Sequence, residues 1–542
     1  MVHVKMAAEV GVKTLKKKAH AILLVLLVVA NRAMMAVRQD ARKAIKKGNR
    51  LMDTYILNPS YLLRQDGSRV IICYQERIND KGEEWFSFIH PFHAQMLSFF
   101  NGLHTFESEL KDCATYFGLS YDKMEKIIKP LMENRKEVCV RQKNGREIWF
   151  PQNILLKSDI IHSGTPAYCP HDFTYKGEPD FDSLRLTYPC YLNIELNMSC
   201  LTDCIYCYAD KEKFKGQFLS TQEILDFIDQ AHSNGVLQID INGGEVLIHP
   251  GIKEILKRLT LYGYRPLIST KIPIKESTAD FLMSIGIDTI QISLDSSNEE
   301  ILCKILKVRK TYLAQMEKTL TYLCKIGMHV NINVVLTRFN SSIKEIDNLF
   351  LFLHKFSSIS TIRINPCGFS LYKKNFRSLS INAKDLESIK QHVEKIKIKY
   401  PEIRINFSGY DAEYMYKSPY KEEGFHQRAI CTGNLRNIIL LPNGNVTICE
   451  ELYNNPNFII GNIKKNSLRE IWMSEKALKL YNFENRIKTN SPCYSCVDQK
   501  TCRTGRGVCW KTVLMAYGNE HWDYPDPRCP RAPFPYNCFY AK

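Results

Sequence analysis

The chain has 542 residues, 45% hydrophobic and 24% charged, with a formal net charge of +17. That length supports about two to four domains with sizeable cores, and the composition excludes a disordered or fibrous chain. Twelve Lys/Arg against Glu9 and Asp40 put +10 in the first 50 residues and leave +7 on the rest, so the total is weak ground for a nucleic-acid partner.

Residues 1–52 place a basic run before an apolar one, "KTLKKKAHAILLVLLVVANRAMMAV". The uninterrupted apolar stretch runs only from Ala21 to Ala30, short of the roughly 20 residues that span a bilayer. Three readings stay open: an extension upstream of a start near Met52, an amphipathic helix for a membrane surface or a partner, and a signal peptide. Export conflicts with the reducing compartment that the cysteine motifs below require.

Residues 53–150 predict a small winged-helix-like domain. "YLLRQDGSRVIICYQE" is a hairpin turned at Asp66-Gly67, and "EEWFSFIHP" supplies a third strand. Helical periods follow, broken at Gly102 and Gly118, and "EVCVRQKNGREIWF" closes with a hairpin at Asn144-Gly145. A DNA-binding winged helix is the rival reading. Its recognition-helix candidate, "YDKMEKIIKPLMENRK", mixes Lys with Asp and Glu and lacks a dense basic face.

Residues 151–185 are rich in Pro, Gly and Asp and read as a linker. From 186 to 375, apolar strands alternate with helical stretches: "YLNIEL", "VLQIDI", "RPLIST", "DTIQISLD", "HVNINVVLT" and "TIRINP". Six β/α units predict an α/β domain, a parallel sheet curved into a partial (β/α)6 barrel. Residues 376–424 read as a connecting helical segment, and 425–542 as a cysteine-rich domain with little periodicity.

Nineteen cysteines are many for such a chain. Cys73, Cys113, Cys139, Cys303 and Cys324 are scattered singles and fit buried small hydrophobes. The others cluster. A disulfide framework belongs to short secreted domains, so clustered cysteines in a long Lys-rich chain favour metal.

"NMSCLTDCIYCYADK", residues 197–211, follows the first barrel strand and holds Cys200, Cys204 and Cys207 as C-x3-C-x2-C. The C-terminal ends of such strands are where active sites assemble. Three thiolates can hold three irons of a [4Fe–4S] cluster and leave the fourth open to a small molecule. Zinc is the alternative, but its sites usually show paired CxxC or Cys/His sets. "INGGEVL" ends the second strand with Gly243, Gly244 and Glu245: glycines allow close backbone approach, and a carboxylate can pair with an ammonium. "QISLDSS" ends the fourth with Ser293 and Asp295. In the C-terminal region, twelve residues separate Cys431 from Gly444 and four separate Gly444 from Cys449; Cys493, Cys496, Cys502, Cys509 and Cys529 follow.

The cysteine motif, with Tyr206 before its last member, resembles the radical S-adenosylmethionine (SAM) superfamily. The C-terminal pattern resembles the SPASM extension of its peptide-modifying members, and residues 53–150 resemble PqqD-like peptide-recognition domains. The resemblance covers most of residues 53–530. It implies that the open iron takes the amino and carboxylate groups of SAM, with Tyr206, Gly243, Gly244, Glu245, Ser293 and Asp295 around it; Arg309 is a further candidate. It implies two auxiliary [4Fe–4S] clusters, one on Cys431, Cys449 and Cys509, the other on Cys493, Cys496, Cys502 and Cys529. "CRTGRGVC" departs from the family's usual C-x3-C, so Cys509 arrives three residues late. The first auxiliary cluster lacks an obvious fourth ligand; Cys538, Cys367 or an open iron would fill that place. A zinc ribbon is the alternative for this region.

The function implied is that of a cytoplasmic maturase acting through a 5′-deoxyadenosyl radical on a ribosomally made precursor peptide. The product would be a thioether, a carbon–carbon crosslink or an epimer. Partners implied are the peptide with its leader and an electron donor such as flavodoxin or ferredoxin, with no nucleic acid. The alternatives are a sulfatase-maturase-like enzyme and a non-catalytic iron–sulfur peptide-binding protein. No general acid or base is visible in the sequence.

Overall fold

The computed structural model describes residues 54–74, 85–142, 144–157, 168–209, 217–372, 378–408, 420–482 and 487–536. The readings of residues 1–52 and of Cys538 lie outside these. The chain divides into two compact units between Pro179 and Asp180.

In the first unit, β1 (Tyr55–Leu57) precedes the hairpin of β2 (Tyr61–Asp66) and β3 (Arg69–Tyr74). Gly67, at φ +64°, makes the turn between the paired residues Asp66 and Arg69. A left-handed φ carries no Cβ penalty only for glycine. Strand β4 (Phe86–Ile89) pairs antiparallel with β3, which makes β3 the centre of a three-stranded sheet. Val70, Ile71, Ile72 and Cys73 of β3 are accordingly fully buried.

Helices Pro91–Ser98, Phe106–Tyr116 and Tyr121–Ile128 follow. Gly102 and Gly118 take positive φ between them, as the breaks in periodicity predict. The first helix is capped by His90, whose Nδ1 accepts from the Phe92 N–H, and the second by Thr105 accepting from Ser108. β5 (Val138–Arg141) and β6 (Glu147–Phe150) form the expected hairpin about Asn144-Gly145.

The stretch read as linker is more ordered than its composition implies. β7 (Leu155–Lys157) pairs with β1, the Leu63 N–H donates to the Tyr168 hydroxyl, and Phe173 is buried with its carbonyl accepting from Gln95. Two aromatic side chains pin a Pro/Gly-rich segment that periodicity cannot register.

In the second unit the six expected strands appear in order: β8 (Tyr191–Asn197), β9 (Gln238–Gly243), β10 (Ile268–Thr270), β11 (Thr289–Ser293), β12 (His329–Leu336) and β13 (Ile359–Pro366). Helices such as Thr221–Ser233, Ile252–Leu261 and Tyr312–Lys325 lie between them. Every strand ladder within this series is parallel, but β9 and β10 are not hydrogen-bonded to each other, so the curved sheet opens there. Period-two alternation is plain in β12: Val330, Ile332, Val334 and Leu336 are buried, while Asn331 and Asn333 face the other way.

Two features differ from the sequence reading. A seventh parallel strand, β14 (Arg404–Phe407), lies inside the segment read as connecting helix and extends the sheet beyond β13. In addition, the cysteine-rich region contributes β15 (Asn437–Leu440), which pairs parallel with β8 and leads into antiparallel β16 (Asn445–Thr447) and β17 (Ile459–Asn462). Strands of three or four residues carry too little alternation to be read alone.

Among the scattered cysteines, Cys73 and Cys113 are buried as expected; Cys139 instead is exposed on β5, and Cys303 and Cys324 are half-buried. No helix among the described residues is long and apolar enough to cross a membrane.

Candidate iron–sulfur and SAM site

The loop after β8 carries the first cysteine set and is pinned at both ends. At its start, Asn197 Oδ1 accepts from the Ser199 N–H at 2.9 Å and Nδ2 donates to the Glu245 carbonyl at 3.1 Å. The N–H groups of Gly244 and Glu245 donate to the carbonyls of Asn197 (2.6 Å) and Ser199 (2.7 Å). Gly243 has φ +114°, and a Cβ there would sit 2.5 Å from Asn197 O; a Cβ on Gly244 would sit 2.2 Å from Ser199 O. The two glycines therefore serve first to let the second strand's turn lie against the cysteine loop. Met198 packs with Ile439, Leu441 and Tyr453, so the auxiliary region backs the same loop. Further on, the N–H groups of Asp203 and Ile205 donate to Leu306 and Ile305 carbonyls, the last turn of helix Glu299–Leu306.

Cys200 and Cys207 line a small cavity with Glu195, Met198, Gly243 and Gly244. Glu195 is almost wholly buried, and its Oε1 has no hydrogen-bond partner. Burial, reinforced by Glu450, pushes its carboxyl up to about 8. Cys204 is buried on the other side, its sulfur 3.5 Å from the Thr202 hydroxyl. Burial raises this thiol, and the Lys271 ammonium pulls it back.

Tyr206 and Asp295, both expected around SAM, are hydrogen-bonded to one another. The Tyr206 hydroxyl donates to Asp295 Oδ2, and Lys271 Nζ reaches the Tyr206 oxygen at 2.6 Å and Asp295 Oδ2 at 3.0 Å. Asp295 Oδ1 accepts from the Val335 N–H, and Asn340 holds the Asp295 carbonyl. Sequence reasoning missed Lys271 and Asn340. The signal for Lys271 was a cation just past the end of "RPLIST", where barrel strands deliver functional groups. Ser293 is buried at the end of β11, and Arg309 is exposed.

Glu245 spans the opening between β9 and β10. Its Oε1 accepts from the Leu247 N–H at 3.2 Å; its Oε2 accepts from the Thr270 hydroxyl at 2.9 Å and the Lys271 N–H at 3.2 Å. An ionised carboxylate offers about four lone-pair sites, so one more donor, such as an ammonium, can be accommodated.

The first auxiliary set is drawn together by tight backbone packing. The Cys431 N–H donates to Arg506 O, and a Cβ on Gly507 would be 3.6 Å from the Cys431 Cβ. Gly433 lies against the Ile448 carbonyl, next to Cys449. Cys509 caps helix Trp510–Tyr517. Burial pushes the Cys431 thiol up to about 11, with Cys509 adding to it, and raises Cys449, which feels Glu450, Cys431 and Cys509. Cys509 thus lies near Cys431 and Cys449 despite its late position. Cys367 is half-buried elsewhere, 3.5 Å from Leu379 O.

Cys493, Cys496, Cys502 and Cys529 all line one cavity of about 250 Å³. Arg428, Arg503 and Arg531 each donate to one of its sulfurs. Among the described residues no three His, Cys, Asp or Glu side chains close on a single ion. A thiolate-ligated cube spreads its ligands more widely than a mononuclear zinc site does, and both donor sets are of the soft thiolate type that iron–sulfur clusters take.

Residues 194–352 match the radical SAM superfamily, and residues 431–497 match the SPASM iron–sulfur cluster-binding domain. The chain therefore carries a radical SAM domain, of the class that binds a [4Fe–4S] cluster and SAM, followed by a SPASM domain. Cys502, Cys509 and Cys529 lie beyond the second match. Among particular proteins, it is similar to the PqqA peptide cyclase of Rhizobium meliloti, 25% identical over 64% of this chain and 89% of that one. A probable GTP 3′,8-cyclase of Methanothermobacter thermautotrophicus is 32% identical over 27% of this chain, which spans about half, 48%, of that protein's length. The fold is similar to that of Streptococcus suis SuiB bound to precursor peptide SuiA, with a TM-score of 0.57 at 17% identity, covering 88% of this chain and all of that one.

Proposed function

We propose that this protein is a radical SAM maturase of a ribosomally made precursor peptide, forming a thioether or carbon–carbon crosslink or an epimer. Strand β4 carries the peptide reading. It ends its three-stranded sheet, hydrogen-bonded to β3 alone among the described strands with β6 packed against it, and Trp85, Phe86 and Phe88 are half-buried along it. A leader segment in extended conformation can add to such an edge, taking main-chain hydrogen bonds and seating alternate side chains. The likeness to PqqA peptide cyclases supports the same substrate class.

In the catalytic unit, Cys200, Cys204 and Cys207 would hold the cluster, with Glu245 accepting from the SAM amino group. When bound, the cluster and SAM supply a 5′-deoxyadenosyl radical that takes a hydrogen atom from an unactivated C–H bond. The Tyr206–Asp295–Lys271 network fixes the wall behind Cys204, and the turn at Gly243-Gly244 sets the depth of the loop. Ser293 remains the candidate for the ribose. Cys431, Cys449 and Cys509 would hold the first auxiliary cluster and Cys493, Cys496, Cys502 and Cys529 the second. A flavodoxin or ferredoxin would supply the electron, and oxygen-sensitive clusters suit the cytoplasm.

Anaerobic turnover of the reconstituted chain with its precursor peptide tests the reading. A crosslink removes two hydrogens from the peptide mass. Epimerisation leaves the mass unchanged in ordinary water and incorporates deuterium from heavy water. Deleting the leader abolishes either outcome, and so does Cys200→Ala. Undiminished modification of a leaderless substrate would favour a sulfatase-maturase-like enzyme, and modification by Cys200→Ala would end the radical reading.

A further inference from the structure

Three thiols of the second auxiliary set each accept a hydrogen bond from a different arginine. Arg428 Nη2 lies 3.2 Å from Cys502 Sγ, Arg503 Nη2 lies 3.3 Å from Cys493 Sγ, and Arg531 Nη1 lies 2.8 Å from Cys496 Sγ. Two of the guanidinium groups are deeply buried: Arg428 is 5% and Arg503 6% exposed. Main-chain carbonyls aim them. Arg428 also donates to Gly507 O and Phe425 O, and Arg503 to Asp523 O and Tyr524 O. Burying two cations is costly unless a compensating negative charge lies beside them. Carbonyl dipoles, and the buried Asp526 near Arg428, supply part of that compensation; a thiolate-ligated cluster, which is anionic, supplies more.

The first auxiliary set lies beside two carboxylates. Its Cys449 is followed by Glu450 and Glu451. The nearby cation Lys511 is engaged by Glu451. Carboxylates also line the second cavity, but Asp498 holds Arg531 at 2.7 Å and Asp526 holds Arg528 at 2.9 Å, while Arg428 and Arg503 donate to the sulfurs.

We propose that Arg428, Arg503 and Arg531 make the second auxiliary cluster the higher-potential member of the pair. Reduction adds one negative charge to a cluster. Cationic donors on its sulfurs favour that state, and carboxylates beside the other cluster disfavour it there. This rests on the auxiliary-cluster assignment within the proposed function, and not on the identity of the peptide.

The test is redox titration monitored by electron paramagnetic resonance on full-length, reconstituted chains, without peptide. One variant replaces the three cysteines of the SAM set and the three of the first auxiliary set by alanine, which leaves only the second cluster. Its counterpart keeps only the first. The second cluster is expected to be at least tenfold easier to reduce, about 59 mV for a one-electron couple. In the second-only background, Arg531→Gln lowers the potential and Arg531→Lys lowers it less. Arg531 is 54% exposed, so this pair leaves the buried framework intact if Arg428→Gln does not fold. A second cluster at or below the first, or an unchanged potential in Arg531→Gln, overturns the proposal. Failure of the second-only chain to bind the iron of one cube overturns the four-cysteine assignment and the proposal with it. None of these outcomes bears on whether a peptide is the substrate.

Discussion

Gly244→Ala adds one methyl group where the structure has no room for it. Its Cβ would stand 2.2 Å from Ser199 O and 2.7 Å from Asn197 Oδ1, both held in place by the start of the cysteine loop. Oxygen–carbon contact needs about 3.3 Å, so the turn and the loop must separate by roughly 1 Å. Gly244 does not have a positive φ, so the cost is steric and not conformational. Separation breaks the bonds from Gly244 N to Asn197 O and from Glu245 N to Ser199 O. At about 1 kcal/mol each, plus the penalty on donors left buried, the loss is about 2–4 kcal/mol. The displaced atoms are those that place Cys200, so SAM cleavage should fall about 100-fold, the usual consequence of a 1 Å misplacement. Thermal unfolding of the cluster-free chain reads the first effect, and release of 5′-deoxyadenosine under reducing, anaerobic conditions reads the second. If Gly244→Ala melts as the parent does and cleaves SAM within twofold of it, the turn does not set the loop and the argument fails.

Further substitutions probe separate parts of the molecule. Lys271→Met leaves Asp295, whose side chain has no solvent exposure, without its cation; the loss should be about 3–5 kcal/mol by chemical denaturation, and adding Asp295→Asn should restore part of it. Glu109 accepts from the N–H groups of Asn101 and Gly102, yet burial pushes its carboxyl from 4.5 up to about 8. The folded state therefore holds this proton more tightly, and its contribution is present at low pH and lost as pH rises from about 4.5 to about 8, by up to about 1.4 kcal/mol per unit. Glu109→Gln should flatten the melting temperature over that window, and an unchanged pH profile would remove Glu109 as the source. Cys509→Ala should cost the reconstituted chain one cluster's share of iron while Cys367→Ala leaves iron content unchanged; the reverse pattern would exchange their roles.

Much of the site was legible locally. The spacing of Cys200, Cys204 and Cys207 and the Gly-Gly-Glu at a strand end are features of a few consecutive residues, and local backbone chemistry places them. The turns at Gly67 and Gly145 were legible for the same reason, since a left-handed φ selects glycine at that one position. Strands β14 and β15 were not. Each is four residues long, and each is held by pairing with a strand distant in sequence. Tyr168 and Phe173 escaped notice because isolated aromatic anchors leave no period.

The sequence by itself determined the class of chemistry and the thiol groups that would carry it, because thiolate number and spacing limit which metal centre can form. It also determined the alternation of strand and helix from 188 to 366, because periods of two and 3.6 register burial directly. Only the tertiary structure decided that Tyr206 and Asp295 face one another across Lys271, that Glu245 bridges the open edge between β9 and β10, and that Cys509 lies near Cys431 and Cys449. It alone set three arginines on three sulfurs, from positions as far apart as 428 and 502. Such contacts form between side chains whose separation along the chain has no regular value, so no local pattern announces them, and only the packing that buries both partners brings them within bonding distance.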